Sequence, residues 1–159
     1  MRIIGIDPGY DRLGVAVMEK QDGKETLIFS TCLQSDRNSS IADRIEKLGN
    51  QLVEILATYQ PNQLAIEKLF FNQNRTTAIA VAEMRGVVIY LAKCHNCTVT
   101  EFGPQEIKVA VTGYGKSDKR AVAEMLPRLV KNLPATALDD EYDAIAIALT
   151  GLVSASFTP

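Results

Sequence analysis

The sequence predicts an α/β protein built on one mixed, five-stranded β-sheet that is covered by helices on both faces. Two observations lead to this fold class. Short apolar runs that stop at turn residues are typical of strands, and longer segments with apolar residues every three or four positions are typical of helices. The chain has 159 residues, 47% of them hydrophobic and 23% charged, which is ordinary for a globular protein. We therefore expect one domain over residues 1–159.

The amino-terminal part of the chain predicts three strands joined by tight turns. Three mostly apolar runs lie at residues 2–7, 13–18 and 27–33. Pro8 follows the first run, and Gly23 precedes the third. Strands that succeed one another across such short turns pair antiparallel, so we expect a meander.

Strands and helices alternate in the rest of the chain. Residues 41–59 carry apolar side chains at helical spacing, follow Ser40 and end before Pro61, which predicts an amphipathic helix with a defined start and stop. A strand that is entered by such a crossover helix is expected to lie parallel to the first strand. The other predicted elements are strands at 63–67 and 98–102 and helices near 76–93, 105–111, 117–131 and 139–152. The order is βββαβαβα with further helices, the last of which is the C-terminal helix.

The predicted helix at 76–93 is apolar around nearly its whole circumference. A helix of this kind is normally buried on all sides. One face is therefore expected to pack on the sheet, and the other against a further helix or a second subunit.

Charge is unevenly distributed along the chain, whose net charge is −2. Residues 68–134 contain 10 Lys and Arg against 5 Asp and Glu, while the segments on either side are acidic. This pattern fits a surface that meets phosphates beside a carboxylate cluster. Solvated helix faces would give the same count.

The number of cysteines and the length of the apolar runs indicate the cellular compartment of the protein. Three cysteines are an odd number, which is typical of a reducing cytoplasm. Cys94 and Cys97 have the spacing of half a zinc site or a redox pair, but the chain has one histidine, so an ordinary helix-to-strand junction is favoured. No apolar run approaches the roughly 18 residues of a membrane span. We expect a cytoplasmic protein without a membrane partner.

Four carboxylates are expected to meet at one edge of the sheet. Asp7 ends the first predicted strand and Glu67 the fourth, and the carboxyl ends of neighbouring parallel strands lie side by side. Asp140 and Asp143 project from one face of the last helix. Such a cluster is tolerable only with cations, and oxygen ligands select Mg²⁺ or Mn²⁺, which can assist phosphoryl displacement as a pair of ions.

Simpler explanations exist for some of these acids. Asp7 could form a turn, and Asp139 or Asp140 could cap the last helix. Glu67 is harder to explain in this way, because a charged residue directly after a short buried strand is unusual unless it is paired or bound to a metal.

Five motifs, in order along the chain, resemble RuvC, the bacterial Holliday-junction resolvase family. They are Gly5-Ile6-Asp7-Pro8-Gly9; Ala65-Ile66-Glu67-Lys68-Leu69-Phe70; Arg85-Gly86; the segment 104–108 with 111–119; and 140–146. The resemblance implies a ribonuclease H-like fold and a homodimeric, Mg²⁺-dependent endonuclease. It also implies paired nicks in opposing strands of a four-way DNA junction and cooperation with the RuvA–RuvB branch-migration complex.

The resemblance assigns residues to the site. The family's four catalytic and metal-binding acids fall on Asp7, Glu67, Asp140 and Asp143, with two metal ions expected and Mn²⁺ as a substitute for Mg²⁺. Asp139 remains an alternative to Asp140.

The resemblance also extends to residues that would bind DNA. Lys108 and Lys119 match family positions near the scissile phosphate, and Phe70 matches an aromatic residue that could stack on unpaired bases. Lys116, in a glycine-flanked loop, and Arg75, which closes a polar loop, complete the predicted DNA-binding set. The role of Phe71 is open.

Three other functions compete with this interpretation. The loop after the first strand resembles a phosphate loop of the actin and sugar-kinase type, but those proteins need two such domains. A non-catalytic nucleic-acid-binding relative would not need all four acids. A ribonuclease H-like nuclease that acts on RNA or flap substrates also remains an alternative.

Overall fold

The chain forms a five-stranded sheet in the order β3-β2-β1-β4-β5. The computed structural model describes residues 1–69 and 75–156, without the side chains of residues 75–77. The strands are β1 (Arg2–Asp7), β2 (Arg12–Gln21), β3 (Lys24–Gln34), β4 (Gln63–Glu67) and β5 (Thr98–Phe102). The helices are α1 (Ile41–Tyr59), α2 (Arg75–Cys94), α3 (Pro104–Thr112), α4 (Lys119–Leu129) and α5 (Asp139–Ala155).

The predicted fold class and element order are confirmed. β1 pairs antiparallel with β2 and parallel with β4, so it lies at the centre of a mixed sheet. β2 and β3 are longer than their apolar runs because their pairing continues, past a register shift between Val17 and Met18, to the Gln21 and Lys24 pair. α4 is shorter than predicted, since Asp118 caps its first turn and Val130 is already extended.

Helices cover both faces of the sheet, as predicted. α1 and α2 bury one core against Ile4 and Ile6 of β1. α3, α4 and α5 bury a second core on the opposite face, where Ile3 of β1 contributes. Alternation of side chains along β1 thus divides its residues between the two cores.

α5 packs unusually close to the centre of the sheet because two glycines face it. A Cβ atom added at Gly5 would lie 2.5 Å from the Ala144 carbonyl oxygen and 2.6 Å from the Ala148 Cβ. A Cβ at Gly14 would overlap the Asp140 carbonyl oxygen. The small residues therefore set both the depth and the position of the amino-terminal turn of α5.

α2 is buried on one face only within the single chain. Met84, Val88 and Ala92 are buried against the sheet. Ile79 and Tyr90 are 63% and 66% exposed. α1 and the sheet therefore cover only part of this helix among the described residues, and burial of its outer face by a second subunit stays a prediction.

Cys94 and Cys97 lie at the junction of α2 and β5 that the sequence favoured. Cys97 is buried and its Sγ donates to the Pro61 carbonyl at 3.2 Å, while Cys94 is exposed. In the part of the chain that the structure describes, these thiols do not join a group that could hold a metal ion. None of the described helices combines the length and the hydropathy that a bilayer span requires.

Candidate active site

Asp7 and Glu67 lie side by side at the carboxyl ends of β1 and β4. The parallel register pairs Gly5 with Ala65 and Ile6 with Ile66, so the next residue in each strand is an acid. Gly5 and Ala65 face α5, and because side chains alternate along a strand, both acids are on that same face.

α5 adds two further carboxylates at its first turns. Asp140 lies in the first turn and Asp143 follows on the same side of the helix. Acids at this position interact favourably with the positive end of the helix dipole. The close packing of α5 on Gly14 brings this end of the helix against the turn that follows Asp7.

Three of the four acids line one cavity of about 200 Å³: Asp7, Glu67 and Asp143. Lys108 of α3 and Lys119 of α4 line the same cavity. Its remaining walls are mainly apolar and include Ile107, Val122 and Ile147. Charged groups of both signs thus meet in a partly apolar recess, where electrostatic interactions are stronger than in open solvent.

Burial and mutual repulsion raise the pKa values of two of the acids. Burial first, and then the charges of Asp143, Glu67 and Asp140, raise the pKa of Asp7 from 3.8 to about 7. Burial and the charge of Asp143 also raise the pKa of Glu67, although Lys108 opposes this. Near neutral pH, these surroundings therefore favour a proton on Asp7 over the full negative charge of the cluster.

Asp140 lies just outside the cavity lining. Its Oδ2 is 3.2 Å from Arg12 Nε, yet that oxygen is buried and accepts no hydrogen bond from any described residue. Asp139, the alternative ligand, is 81% exposed at its side chain. Since the charge of Asp140 acts on Asp7, the geometry favours Asp140 as the fourth member of the cluster.

Lys119 contacts the acidic cluster directly. Its Nζ lies 2.8 Å from Asp143 Oδ2 and 3.6 Å from Asp139 Oδ2. Partial burial lowers the pKa of Lys119, but the hydrogen bond to Asp143 and the attraction of the neighbouring carboxylates outweigh it and raise the pKa. The ammonium group therefore neutralises part of the cluster in this arrangement.

The donor set fits a hard divalent cation. Among the described residues, no three Asp, Glu, Cys or His side chains form a group that could hold a metal ion, and Asp143 accepts a hydrogen bond from Lys119. The buried Oδ2 of Asp140 accepts no hydrogen bond from the described residues, although Arg12 Nε lies 3.2 Å away. The pKa values of Asp7 and Glu67 are raised, and perturbed carboxylates of this kind in a cleft are typical of functional sites. Carboxylate oxygens are preferred ligands of Mg²⁺ and Mn²⁺.

Only some of the predicted DNA-binding residues belong to the part of the chain that the structure describes, and these lie at or near the acidic cavity. Lys108 is half-buried in the wall of the acidic cavity, and Lys116 is exposed beside it, in the loop between α3 and α4. Phe70 and the side chain of Arg75 lie outside the described residues, and so does Phe71.

Arg44 of α1 anchors the turn that follows Asp7, a role that sequence reasoning missed. Its guanidinium pairs with Asp11, its Nε donates to Ser35 Oγ at 3.0 Å, and it lies 4.6 Å from the centroid of the Tyr10 ring. The side chain is only 10% exposed. The feature of the sequence that could have revealed this role is a basic residue within the apolar stripe of α1, three positions after Ile41.

Fold and site together define a class of protein. A mixed sheet in this strand order, with acids at the ends of β1 and β4 and on the helix that crosses them, is the architecture of ribonuclease H-like nucleases. The model of the family described as crossover junction endodeoxyribonuclease RuvC matches residues 3–151. This chain belongs to the RuvC family.

Individual members of the family are similar to this chain over most of their length. The chain is 38% identical to crossover junction endodeoxyribonuclease RuvC of Prochlorococcus marinus, with 96% of this chain and 98% of the relative covered. It is 36% identical to the protein of the same name from Brevibacillus brevis, with 94% and 90% covered. The solved structure of Thermus thermophilus RuvC in complex with Holliday junction substrate superimposes with a TM-score of 0.90 at 29% identity, covering 98% of this chain and 94% of that one.

Proposed function

We propose that this chain is a metal-dependent endonuclease that resolves Holliday junctions by paired nicks in opposing DNA strands during recombination and repair. The observation that carries the proposal is the cavity in which Asp7, Glu67 and Asp143 meet Lys108 and Lys119. Membership of the RuvC family supports the same activity. We further propose that residues 1–159 act as a single nuclease domain.

The four acids would hold the metal. In this proposal Asp7, Glu67, Asp140 and Asp143 are the ligands of two Mg²⁺ ions, for which Mn²⁺ can substitute. Bound ions of this kind supply Lewis-acid stabilisation of the charge that develops on a phosphate during in-line displacement. Neutralisation by cations would also relieve the repulsion that raises the pKa of Asp7.

The chain's own cations would position the phosphate. Lys108 enters the cavity from α3 and Lys119 from α4, so the two ammonium groups approach from the helices that cover the acids. A lysine so placed can hold a phosphate oxygen and stabilise charge in the transition state. Lys119 donates one hydrogen bond to Asp143, and the other two N–H donors of its ammonium group could reach a phosphate.

A four-way junction must be cut on two strands, which favours a homodimer with two active sites related by an axis of symmetry. The exposed face of α2 is the surface that supports this proposal. Ile79, Gly86 and Tyr90 share that face at helical spacing. No atom of the described residues lies within 4 Å of a Cβ placed at Gly86, so a second helix could approach closely there. Cooperation with the RuvA–RuvB branch-migration complex and a cytoplasmic location complete the proposal.

The test is a comparison of DNA substrates. Purified protein is incubated with a labelled mobile four-way junction and with the matching linear duplex, in Mg²⁺ and in EDTA, and the nicks are mapped. We expect symmetrical nicks on opposing strands of the junction, only with the metal. Tight binding without nicks, over varied metals and junction sequences, would contradict catalysis and favour a non-catalytic relative. Preferential cutting of RNA hybrids or flaps would favour the other nuclease alternative.

A further inference from the structure

A second cavity, of about 700 Å³, adjoins the acidic cavity. Lys108 and Pro104 line both, so the two recesses share a wall formed by the start of α3. The second cavity, which we call the basic cavity, is lined by Lys68, Gly103, Pro104, Gln105, Glu106, Lys108, Gly115 and Lys116. Its charged groups are three lysines and one carboxylate, which suits an anionic ligand.

The backbone of Lys68 is held at a defined position beside the acidic cavity, while its side chain is 46% exposed. It follows Glu67 directly, and its backbone N–H donates to the Phe102 carbonyl at 2.9 Å, which continues the pairing of β4 with β5. The residue that supplies an acid to one cavity is therefore immediately followed by a residue that supplies a cation to the other.

Glu106 is the anion that Lys68 now contacts. Its Oε2 accepts a hydrogen bond from the Gly103 N–H at 2.6 Å and lies 3.6 Å from Lys68 Nζ. The Gly103 hydrogen bond keeps the pKa of Glu106 below its ordinary value, so the carboxylate is ionised at neutral pH. Both side chains are about half exposed, at 46% for Lys68 and 57% for Glu106, which leaves the pair open to exchange with solvent or ligand.

We propose that the basic cavity binds a non-scissile backbone phosphate of the same DNA strand whose neighbouring phosphate enters the acidic cavity, and that Lys68 exchanges Glu106 for that phosphate. This inference rests on the proposed function, because it presumes a DNA strand at the acidic cavity. Lys108, which faces both recesses, would lie between the two phosphates. A contact of this kind sets the register of the strand and carries no sequence information.

The exchange makes two substitutions act in opposite directions. Lys68→Ala removes a phosphate contact, so junction affinity should fall about three- to tenfold and the slope of log K against log salt should become shallower by about 0.9. Glu106→Gln keeps an acceptor for the Gly103 N–H but removes the competing charge, so junction affinity should rise by about two- to fivefold. A purely structural role of the pair would weaken binding in both variants.

Lys20 provides a matched control. Its Nζ lies 3.7 Å from Glu25 and its side chain is 46% exposed, the same exposure as that of Lys68. It is at the opposite end of the sheet, next to the turn between β2 and β3. Lys20→Ala should therefore leave both the affinity and the salt slope unchanged.

The experiment is the binding of a fluorescent four-way junction, followed by anisotropy in EDTA from about 50 to 200 mM salt, with wild type and the three variants. The melting temperature of each variant checks its folding. Equal slopes for Lys68→Ala and Lys20→Ala, or weaker binding by Glu106→Gln, would overturn the inference. Failure of the wild type to prefer the junction over linear duplex would instead overturn the proposed function, so the two failures are distinguishable.

Discussion

Two carboxylates near opposite ends of β1 differ in their surroundings: Glu19 of β2, which pairs with Arg2 at the start of β1, and Asp7 at the end of β1. At the start of the strand, Arg2 Nε lies 2.8 Å from Glu19 Oε2, and Gln21 donates to the other oxygen of Glu19 at 2.7 Å. Hydrogen bonds from Gln21 and Arg2 lower the pKa of Glu19. At the other end, burial and three neighbouring acids raise the pKa of Asp7 to about 7.

The difference separates structural carboxylates from functional ones. Glu19 has partners within the chain that favour its charged form, whereas burial and neighbouring acids disfavour the charged form of Asp7. Strongly perturbed groups in a cleft are typical of functional sites. We therefore expect the charged cluster at the carboxyl end of β1 to lower the stability of the chain in the absence of a cation.

The largest effect is expected from Asp7→Asn. The substitution removes a ligand of the proposed metal site, so junction cleavage should fall by at least about a thousandfold, while junction binding should persist because repulsion towards phosphate decreases. Cleavage is measured on the labelled junction under single-turnover conditions, and binding by anisotropy. Glu19→Gln is the control and should cleave like wild type. Loss of both binding and cleavage in Asp7→Asn would indicate a folding role instead.

The pH dependence of stability should differ between wild type and Asp7→Asn. The pKa of Asp7 is raised to about 7 in the folded chain, so between pH 4 and pH 7 the folded state binds the proton more tightly than the unfolded state. Metal-free wild type should lose stability as pH rises through this window, by roughly 3 kcal/mol relative to the variant. Urea unfolding in EDTA at pH 4.5 and pH 8 measures the difference. A gap that stays constant with pH would contradict the assignment.

Arg44→Ala tests whether the pairing of a carboxylate close to the site, Asp11, stabilises the chain. Asp11, four residues after Asp7, is paired with Arg44 and also lies 3.5 Å from Arg37 Nε. Removal of the buried guanidinium should lower the free energy of unfolding by about 2 kcal/mol, measured by urea denaturation. Arg44→Lys, which keeps the charge but not the planar fork, should recover part of the loss. Unchanged stability in Arg44→Ala would show that the network does not hold the turn.

The smallest effect is expected at the start of β1. Glu19→Gln keeps the side-chain volume and an acceptor for Arg2, so it should lower the free energy of unfolding by less than about 1 kcal/mol. The loss should be reduced in high salt, because the ion pair is partly exposed. A larger loss of stability would mean that the surroundings of Glu19 and Asp7 differ less than the pKa shifts of the two carboxylates indicate.

Much of the fold could be predicted because local patterns determine it. The apolar stripe of α1, with its start after Ser40 and its end before Pro61, is visible in the sequence. The same is true of the acids at the ends of β1 and β4, since a crossover helix makes these strands parallel and neighbouring strands end side by side. Asp7 and Glu67 could therefore be placed together without coordinates.

Other features depend on packing that no local pattern contains. The contact between Lys119 and Asp143 follows from how α4 and α5 lie against each other, and the position of Asp140 follows from the close approach of α5 to Gly14. The exposed face of α2 could not be identified because its residues are apolar on every side. The pairing of Lys68 with Glu106 joins two distant segments and has no sequence signature.

We infer that the charged acidic cluster destabilises the folded chain until a divalent cation binds. The most direct test is the melting temperature of wild type and Asp7→Asn at pH 8, in EDTA and in millimolar Mg²⁺. We expect Asp7→Asn to melt higher than wild type in EDTA, and Mg²⁺ to raise the melting temperature of wild type only, since the ion binds the folded site. A lower melting temperature for the variant in EDTA, together with equal Mg²⁺ shifts for both proteins, would contradict the claim.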